Sequence, residues 1–306
     1  MKKIFFLLIS LLPALVQAQN VVNVEEAGSL RACVEAAGLA DATELTITGP
    51  LNGTDLRCLR MMAGGELVTT FPGFEELGID VYKGRLESID LSGARIVAGG
   101  ELYHTNYPPM SNLTFMYSQD DVLGDCLFEG CAQLRRVVLP KVLKAVGRWC
   151  FYGSGITEME VPEGTERIMS YAFGACNSLK RVILPSSLET VEAFAFSGKA
   201  LSEVVCCAYL PPAYGFKAFD RVDILPGCWL VVWKHALGTY KEADGWSHFK
   251  NIETIEEYKQ ETALQPIEAA PVPARSDSVI HDLQGRRLQT PPRKGVYISG
   301  GKKLVR

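Results

Sequence analysis

The residues of this sequence that could carry chemistry are dispersed along the chain. Its four histidines lie at positions 104, 235, 248 and 281. The sequence contains no G-x-S-x-G, H-E-x-x-H or Walker motif, which would indicate a serine hydrolase, a zinc protease or a nucleotide-binding loop. Gly198-Lys199 lacks the rest of a phosphate-binding loop. We therefore predict no catalytic, cofactor-binding or metal-binding residues, and we expect a protein that is not an enzyme.

The densest group of carboxylates is Asp120, Asp121, Asp125 and Glu129. Carboxylate oxygens are ligands that Ca²⁺ prefers, but this spacing does not match the EF-hand loop. We expect an acidic surface patch here rather than a calcium site.

The strongest pattern in the chain is a repeat of 22 or 23 residues. Phenylalanine recurs at positions 151, 173, 196 and 219, each time directly after a small residue. Upstream of these rings the motif L-x-x-V-x-L-P recurs, ending at Pro140 and Pro185. A period of this size is typical of a leucine-rich solenoid, in which each turn buries its apolar side against its neighbours. We predict one continuous, capped solenoid.

Each repeat is expected to contribute one strand, because its apolar residues are spaced two apart and a proline follows them. The residues predicted to point inward from adjacent parallel strands are Val137, Met159, Val182 and Val204. Two outward columns flank them: Arg136, Glu158, Arg181 and Glu203 in one, and Val138, Glu160, Ile183 and Val205 in the other. The first column alternates in charge sign and is expected to fix strand register. The second is more apolar and is our predicted ligand-binding surface.

The sequence contains nine cysteines, so at least one must stay unpaired or pair outside the chain. Cys33 and Cys58 are the candidate disulfide, because they lie together near the N-terminus. Cys131 and Cys176 are two predicted turns apart, roughly 10 Å, which exceeds the ~7 Å that a bridge allows between Cα atoms. At inward repeat positions cysteine serves as a small hydrophobe. This interpretation covers Cys131, Cys150, Cys176 and Cys206.

Several segments resemble the BspA-like leucine-rich repeat family of secreted bacterial proteins. The repeats "LKRVILPSSLETVEAFAF" and "ACNSLKRVILP" are similar to that family, as are "LTITGPLNGTDLRCLRMM" before them and "CWLVVWKHALGTYKEADGWSHFKNI" after them. The resemblance covers most of residues 20–255. It implies a leucine-rich repeat solenoid, a parallel β-sheet superhelix with short helices and turns. Trp233 and His235 depart from the family, which usually has Pro and Gly there.

The segments around the repeats divide the chain into six parts. Apolar periodicity predicts helices around Leu30–Ala37 and Leu56–Met62, the second capped by Thr54. Trp246 and Phe249 are expected to fold back over the last turn, after a short helix at 236–243. The parts are a signal peptide at 1–18, a small α+β N-terminal cap at 19–85, repeats at 86–227, a short helical C-terminal cap at 228–255, a proline-rich linker at 256–275 and a small β tail at 276–306.

The tail resembles, in shortened form, the C-terminal sorting segments of secreted proteins from the same bacteria. We expect short strands in it at 279–282, 286–288, 295–299 and 302–305, separated by glycine turns. A tail without any sorting role is the alternative. Asp277-Ser278-Val279 matches a short O-glycosylation motif, which makes Ser278 a candidate glycosylation site.

Residues 99–122 interrupt the period with an aromatic-rich stretch that we expect to be irregular. Such a loop on a regular scaffold is a frequent recognition site. Tyr103, Tyr107 and Tyr117 are therefore further candidate ligand-binding residues. The alternative is that these rings cover core on the convex side.

The N-terminal segment, 1–18, predicts export. Lys2 and Lys3 precede an apolar run that is too short to span a membrane, and the sequence predicts cleavage after Ala18. No cysteine follows the cleavage site, which argues against a lipid anchor there. With those two lysines removed, the formal charge of −4 becomes −6, which argues against nucleic acid and anionic lipid as partners.

Together with the export segment, the repeats and the lack of a catalytic motif, the resemblance implies an exported, non-enzymatic binding or adhesion module of a Gram-negative bacterium. It would be held at the cell surface, associated with the outer membrane or secreted. Its expected partner is a protein or glycan on host or bacterial surfaces, with no cofactor and no transmembrane segment. A structural or accessory cell-envelope protein without a host ligand is the alternative, and an enzyme is the third hypothesis. The ligand, the oligomeric state and the mode of anchoring stay open.

Overall fold

The computed structural model describes residues 20–65, 84–106, 114–220 and 227–255, and the backbone of four short strands between 280 and 305. The chain divides into two compact units, residues 1–258 and 259–306. The predicted signal peptide, its cleavage site and the linker at 256–275 lie outside the described residues. In the described parts of the chain, no helix has the length and apolar character needed to cross a bilayer.

The first unit begins with alternating strands and helices. They are β1 (Val21–Asn23), α1 (Leu30–Ala36), β2 (Glu44–Leu51), α2 (Gly53–Met62) and β3 (Ser88–Ile96). Helix α2 starts with a capping box in which the Asn52 side chain accepts from the Thr54 N–H at 3.0 Å, while Asp55 accepts from the Asn52 N–H at 2.9 Å. The prediction that Thr54 caps this helix is therefore wrong. Asn52 precedes the first helical turn, where a side-chain oxygen can reach the orphan N–H groups.

Asp55 also joins the two helices. Its carboxylate accepts hydrogen bonds from the N–H groups of Gly28, at 2.6 Å, and Leu30, at 2.9 Å, at the start of α1. One fully buried carboxylate thus satisfies donors at the N-termini of both helices.

The stretch predicted to be irregular is largely a hairpin. Strands β4 (Gly99–Asn106) and β5 (Thr114–Ser118) pair antiparallel, with a register irregularity between Gly99 and His104. The hairpin contacts α2. The aromatic composition of this stretch reflects strand structure, because aromatic residues favour strands.

The repeats contribute two strands per turn. In chain order they are β6 (Val122–Leu123), β7 (Arg136–Val138), β8 (Ala145–Val146), β9 (Glu158–Glu160), β10 (Arg167–Ile168), β11 (Arg181–Leu184), β12 (Thr190–Val191), β13 (Glu203–Cys206) and β14 (Ala213–Tyr214). The short even-numbered strands form one parallel sheet in the order β14-β12-β10-β8-β6. The odd-numbered strands carry the outward columns defined above.

The C-terminal end of the repeats combines strand and helix. It contains β15 (Trp229–Val232), a 3₁₀ turn at Lys234–Ala236, α3 (Leu237–Glu242), a 3₁₀ turn at Trp246–His248 and β16 (Asn251–Thr254). The buried rings of Trp246 and Phe249 lie 5.5 and 5.4 Å from that of Phe219. These two rings cover the last repeat phenylalanine, as the sequence predicts.

The remaining parallel strands of the first unit form two sheets, β1-β2-β3-β7 and β16-β15-β13-β11-β9. Met159, Val182 and Val204 are direct partners in the second sheet, which confirms the predicted repeat register for these three turns. Val137 lies on β7, which pairs with β3. Within the described residues, the parallel strands run from Val21 to Thr254.

The core contains a column of stacked rings from the repeats. Phe128, Phe151, Phe173, Phe196 and Phe219 follow one another with centroid separations of 5.4, 5.2, 5.0 and 4.8 Å. The residue before each of the last four is a buried Cys150, Ala172, Ala195 or Ala218, which leaves room for the neighbouring ring. The repeat period is thus the spacing that brings each ring over the next.

Each turn also contains a residue in the left-handed region, two positions before the phenylalanine. These residues are Cys126, Trp149, Tyr171, Phe194 and Lys217, with φ between 50 and 58°. This conformation costs a non-glycine residue roughly 1–3 kcal/mol. The stacked turns compensate, because backbone N–H groups such as those of Tyr171 and Phe194 donate to carbonyls of the next turn, at 3.0 and 3.2 Å.

No disulfide bond joins any of the nine cysteines in this structure. The predicted Cys33–Cys58 disulfide is therefore wrong. Cys33 is half-buried with its sulfur 3.8 Å from the Ser29 hydroxyl, whereas Cys58 is buried in the core. The four cysteines at inward repeat positions are buried, as predicted for small hydrophobes. Ser154 lies between Cys131 and Cys176 in the stack, with its hydroxyl 3.5 Å from the sulfur of Cys176.

The second unit contains a four-stranded antiparallel sheet. Its strands are β17 (Ile280–His281), β18 (Arg287–Leu288), β19 (Val296–Ser299) and β20 (Lys302–Val305), in the order β18-β17-β19-β20. Each of the four lies within one of the strands that the sequence predicts for the tail.

Candidate functional site

A groove of about 460 Å³ opens on the outward face where β7 and β9 lie side by side. β7 is the last strand of one parallel sheet, and β9 is the first strand of the next. The groove therefore follows the junction between the two sheets. Its lining residues are Ser92, Arg135, Arg136, Val137, Val138, Leu139, Lys141, Thr157, Glu158, Met159, Glu160, Pro162, Arg181 and Ile183.

Three of the four residues in the predicted ligand-binding column line this groove. Val138 is half-buried on β7, Glu160 is exposed on β9, and Ile183 is half-buried on β11. They face outward because strand residues alternate between the two faces, and their neighbours Val137, Met159 and Val182 are buried. The structure thus brings an apolar floor and a carboxylate together at the sheet junction.

Val205, the fourth residue of that column, is not accessible. It is 1% exposed and packs with Val231 and Ile255 in a small apolar cluster, which Cys207 and Trp233 border. The prediction that Val205 lies on the contact surface is therefore wrong. Ile255 follows the last parallel strand and packs over this end of the face, a contact between residues far apart in the chain.

The groove contains more positive than negative side chains. Four cations line it, Arg135, Arg136, Lys141 and Arg181, against the two carboxylates of Glu158 and Glu160. Arg135, Arg136 and Lys141 lie on the β7 side, whereas Arg181 lies on β11 and both carboxylates lie on β9. Such a lining complements a ligand that carries excess negative charge and some apolar surface.

The alternating charge row pairs as the sequence predicts, within the second sheet. Arg181 lies between Glu158 and Glu203 in the parallel register. Its guanidinium forms an ion pair with Glu203, and each side chain is about one-fifth exposed. Arg136 stands on β7, opposite Ser88 of β3. The paired row is therefore interrupted at the junction, because β7 and β9 belong to different sheets. Its members Arg136, Glu158 and Arg181 all line the groove.

The three tyrosines of the hairpin region lie in different environments. Tyr103 is 1% exposed, and its hydroxyl donates to the Asp125 carbonyl at 2.8 Å, so this ring is part of the core and is unavailable to a partner. A side chain at Gly124 would clash with that hydroxyl. Tyr117 is 55% exposed on β5. Tyr107 lies outside the described residues, as does the candidate glycosylation site Ser278.

The four carboxylates of the acidic stretch are directed to separate partners. Asp121 pairs with Arg95 at 3.0 Å, Asp120 accepts from the Ala98 N–H at 2.8 Å, and Asp125 accepts from the Arg148 N–H at 2.7 Å. Glu129 lies 3.7 Å from the Nε2 of His104. These contacts stabilise the junction between the hairpin and the first repeat.

Sequence reasoning missed a second row of rings outside the phenylalanine column. Trp149 and Tyr171 stack with centroids 4.6 Å apart, and Tyr171 and Phe194 stack at 5.0 Å; all three rings are half-buried. In three repeats an aromatic residue stands two positions before the phenylalanine, and this pattern could have indicated the second row. Sequence reasoning also missed Arg135 and Lys141, two of the four cations that line the groove.

The family comparison agrees with a leucine-rich repeat architecture. Residues 104–218 match the family model described as a BspA type leucine rich repeat region, in six copies. A leucine-rich repeat protein from Bacteroides ovatus ATCC 8483, whose crystal structure is known, is 23% identical in sequence to this chain over the aligned part. The similarity covers 49% of this chain and 40% of that chain, with a TM-score of 0.27. No significant match occurs among the curated proteins.

Proposed function

We propose that the protein, whose residues 104–218 match the BspA type leucine rich repeat region, is an exported interaction module that binds its partner in the groove between β7 and β9. The partner is a protein or glycan on a host or bacterial surface, and the role is adhesion rather than catalysis. The observation that carries this proposal is the position of the predicted ligand-binding residues. Val138, Glu160 and Ile183 converge on one groove that is bordered by cations.

The physical character of the groove supports a binding role. Half-buried Val138 and Ile183 offer apolar area that a ligand can cover, which is the main source of affinity. Arg135, Arg136 and Lys141 add a positive border that raises the association rate of an acidic segment. We therefore expect the preferred ligand to present a segment with net negative charge, and its binding to weaken as salt rises.

A binding screen tests this proposal. The mature chain, residues 19–306, is immobilised and presented with extracellular-matrix proteins and a glycan array. Val138→Asp places a charge on the groove floor and should weaken the selected interaction by about tenfold or more, as expected for an interface hot spot.

Val21→Asp is the matched control. Val21 is 48% exposed and belongs to the same outward column, three strands from Val138, because Val21 pairs with Thr46, Thr46 with Asp90 and Asp90 with Val138. Binding should survive this change. If both variants lose the same affinity, the groove does not take part in binding. A screen in which no ligand binds would support a structural role in the cell envelope.

Surface accessibility separates the adhesion role from the structural one. Antibodies against residues 19–306 should label intact cells, and external protease should remove the label. Labelling that requires permeabilised cells would contradict adhesion.

A further inference from the structure

A compact group of three potential metal ligands lies away from the groove, where the hairpin meets the first repeat. It consists of His104 on β4 and of Cys126 and Glu129 in the turn after β6. One ligand atom from each residue lies within 4.8 Å of the other two. The Nε2 of His104 and the Oε2 of Glu129 are 3.7 Å apart. Imidazole nitrogen, thiolate sulfur and carboxylate oxygen together form a donor set that suits Zn²⁺.

Burial gives this group a feature that a surface cluster lacks. His104 is 3% exposed, and its Nδ1 has no hydrogen-bond partner among the described atoms. The neutral ring can therefore carry its proton on Nδ1, which leaves the lone pair of Nε2, on the Glu129 side, available to a metal ion. Cys126 is 2% exposed, whereas the Glu129 side chain is 28% exposed and borders solvent. An ion could therefore enter on the Glu129 side and find a nearly dry site.

The three donors depart from the repeat pattern. The positions equivalent to Cys126 in the next three turns hold the stacked rings of Trp149, Tyr171 and Phe194. The first turn places a thiol there instead, with a carboxylate three residues later. His104 comes from the hairpin, which interrupts the repeat. The donor set is therefore specific to this junction and is not a by-product of repeat packing.

The neighbouring Arg60 sets a condition on any bound cation. Its Nη1 donates to the carbonyls of Cys126, Leu127 and Glu129 at 2.7, 3.0 and 3.2 Å, which fixes the turn that carries two of the donors. Its positive charge opposes a second cation. A divalent ion would consequently need both the Cys126 thiolate and the Glu129 carboxylate to balance its charge.

We propose that His104, Cys126 and Glu129 bind one Zn²⁺ ion that fastens the hairpin to the first repeat, with water as the fourth ligand. On binding, the Sγ–H bond of Cys126 breaks, the proton passes to solvent and the Sγ–Zn bond forms. Tetrahedral zinc with bonds of roughly 2.0–2.3 Å separates its ligand atoms by roughly 3.3–3.8 Å. The distances between the ligand atoms must therefore shorten by about 1 Å on binding. Rotation of the partly exposed Glu129 side chain can bring its carboxylate closer to the other two donors.

Zinc titration of the reduced, metal-stripped mature chain tests this proposal. Calorimetry with ZnCl₂ should give one tight equivalent, and Zn²⁺ should raise the melting temperature, because a ligand that binds only the folded state stabilises it. Co²⁺ should give a thiolate-to-cobalt absorption band. In Cys126→Ser that band should vanish, and the affinity for Zn²⁺ should fall by about tenfold or more.

Two further variants keep the outcome interpretable. Glu129→Gln changes the most exposed ligand, so it should fold normally and bind Zn²⁺ at least about tenfold more weakly. Cys176→Ser is the matched control, since Cys176 is a fully buried thiol two turns away that already donates to a backbone carbonyl, as serine can. It should bind Zn²⁺ like the unmodified chain.

Three results would overturn the proposal. One is a folded, unmodified chain that binds Zn²⁺ no more tightly than roughly 1 mM. Another is undiminished affinity in Cys126→Ser, which would place the ion elsewhere. The third is a cobalt complex without the thiolate band.

Discussion

Phe173 and Phe196 stack face to face, with centroids 5.0 Å apart and ring planes 6° from parallel, although they belong to different repeats of the chain. Both rings are buried, and the neighbouring Phe151 lies 5.2 Å from Phe173 on its other side. A ring in the middle of this column thus has an aromatic partner above and below. This arrangement makes the column one of the elements that couple each turn to the next, together with the backbone hydrogen bonds between turns.

Phe173→Ala should therefore destabilise the repeats strongly. Truncating a buried phenylalanine costs about 3–5 kcal/mol, because apolar contacts are lost and a cavity remains. Denaturant unfolding followed by circular dichroism measures the effect. Phe194→Ala removes a half-buried ring from the outer row and is the control. Equal decreases in the free energy of unfolding for the two variants would show that the inner column stabilises the repeats no more than the outer row does.

Arg181 and Glu203 should stabilise the pairing of β11 with β13. They are direct register partners and form an ion pair with both side chains about one-fifth exposed. A double-mutant cycle with Arg181→Gln and Glu203→Gln should give a coupling energy of about 0.2–1 kcal/mol, which decreases with added salt. A coupling of zero at low salt would mean that the row does not help to fix register.

Glu192 should make the stability of the repeats sensitive to acid. Burial alone would raise the pKa of Glu192, but hydrogen bonds from Arg167, at 2.7 Å, and from Ser170, at 3.1 and 2.9 Å, outweigh burial and lower that pKa. Since the pKa is lower in the folded state, the stabilisation is complete above the pKa of an unfolded glutamate, about 4.3, and is lost as pH falls through the folded pKa.

Glu192→Gln should accordingly lower the free energy of unfolding by about 1 kcal/mol at neutral pH, and the difference should shrink below about pH 4. Urea unfolding across a pH series measures both quantities. Glu189→Gln, at an exposed position in the same repeat, is the control. A difference that stays constant down to about pH 3 would contradict the assigned hydrogen bonds.

The nine thiols should react in two classes. Cys33 and Cys207 are partly exposed, whereas the other seven are buried. Burial raises the pKa of Cys131, Cys176 and Cys206 to about 11, so that their reactive thiolate form is scarce at neutral pH. A thiol reagent should modify two cysteines in the native protein and nine after denaturation. Mass mapping of unreduced peptides that finds a Cys33–Cys58 bridge would contradict the structure.

The sequence alone determined the repeat and the side of each strand that faces the core. The regular recurrence of phenylalanine and the alternation of apolar residues are properties that can be read along the chain, so Met159, Val182 and Val204 could be aligned without coordinates. The same local logic placed Trp246 and Phe249 over the last turn and placed the strands of the tail. It also placed Val138, Glu160 and Ile183 on one outward column.

Only the tertiary structure decided what lies over those columns and beside them. Val205 follows the same alternation as Ile183, but Ile255, which comes after the last parallel strand, packs against it. The groove exists because β7 and β9 belong to different sheets, a property of hydrogen-bond pairing that no side-chain pattern encodes. The contact between His104 and Glu129 also depends on the tertiary structure. The hairpin folds back onto the first turn, and local sequence periodicity carries no information about contacts between segments so far apart.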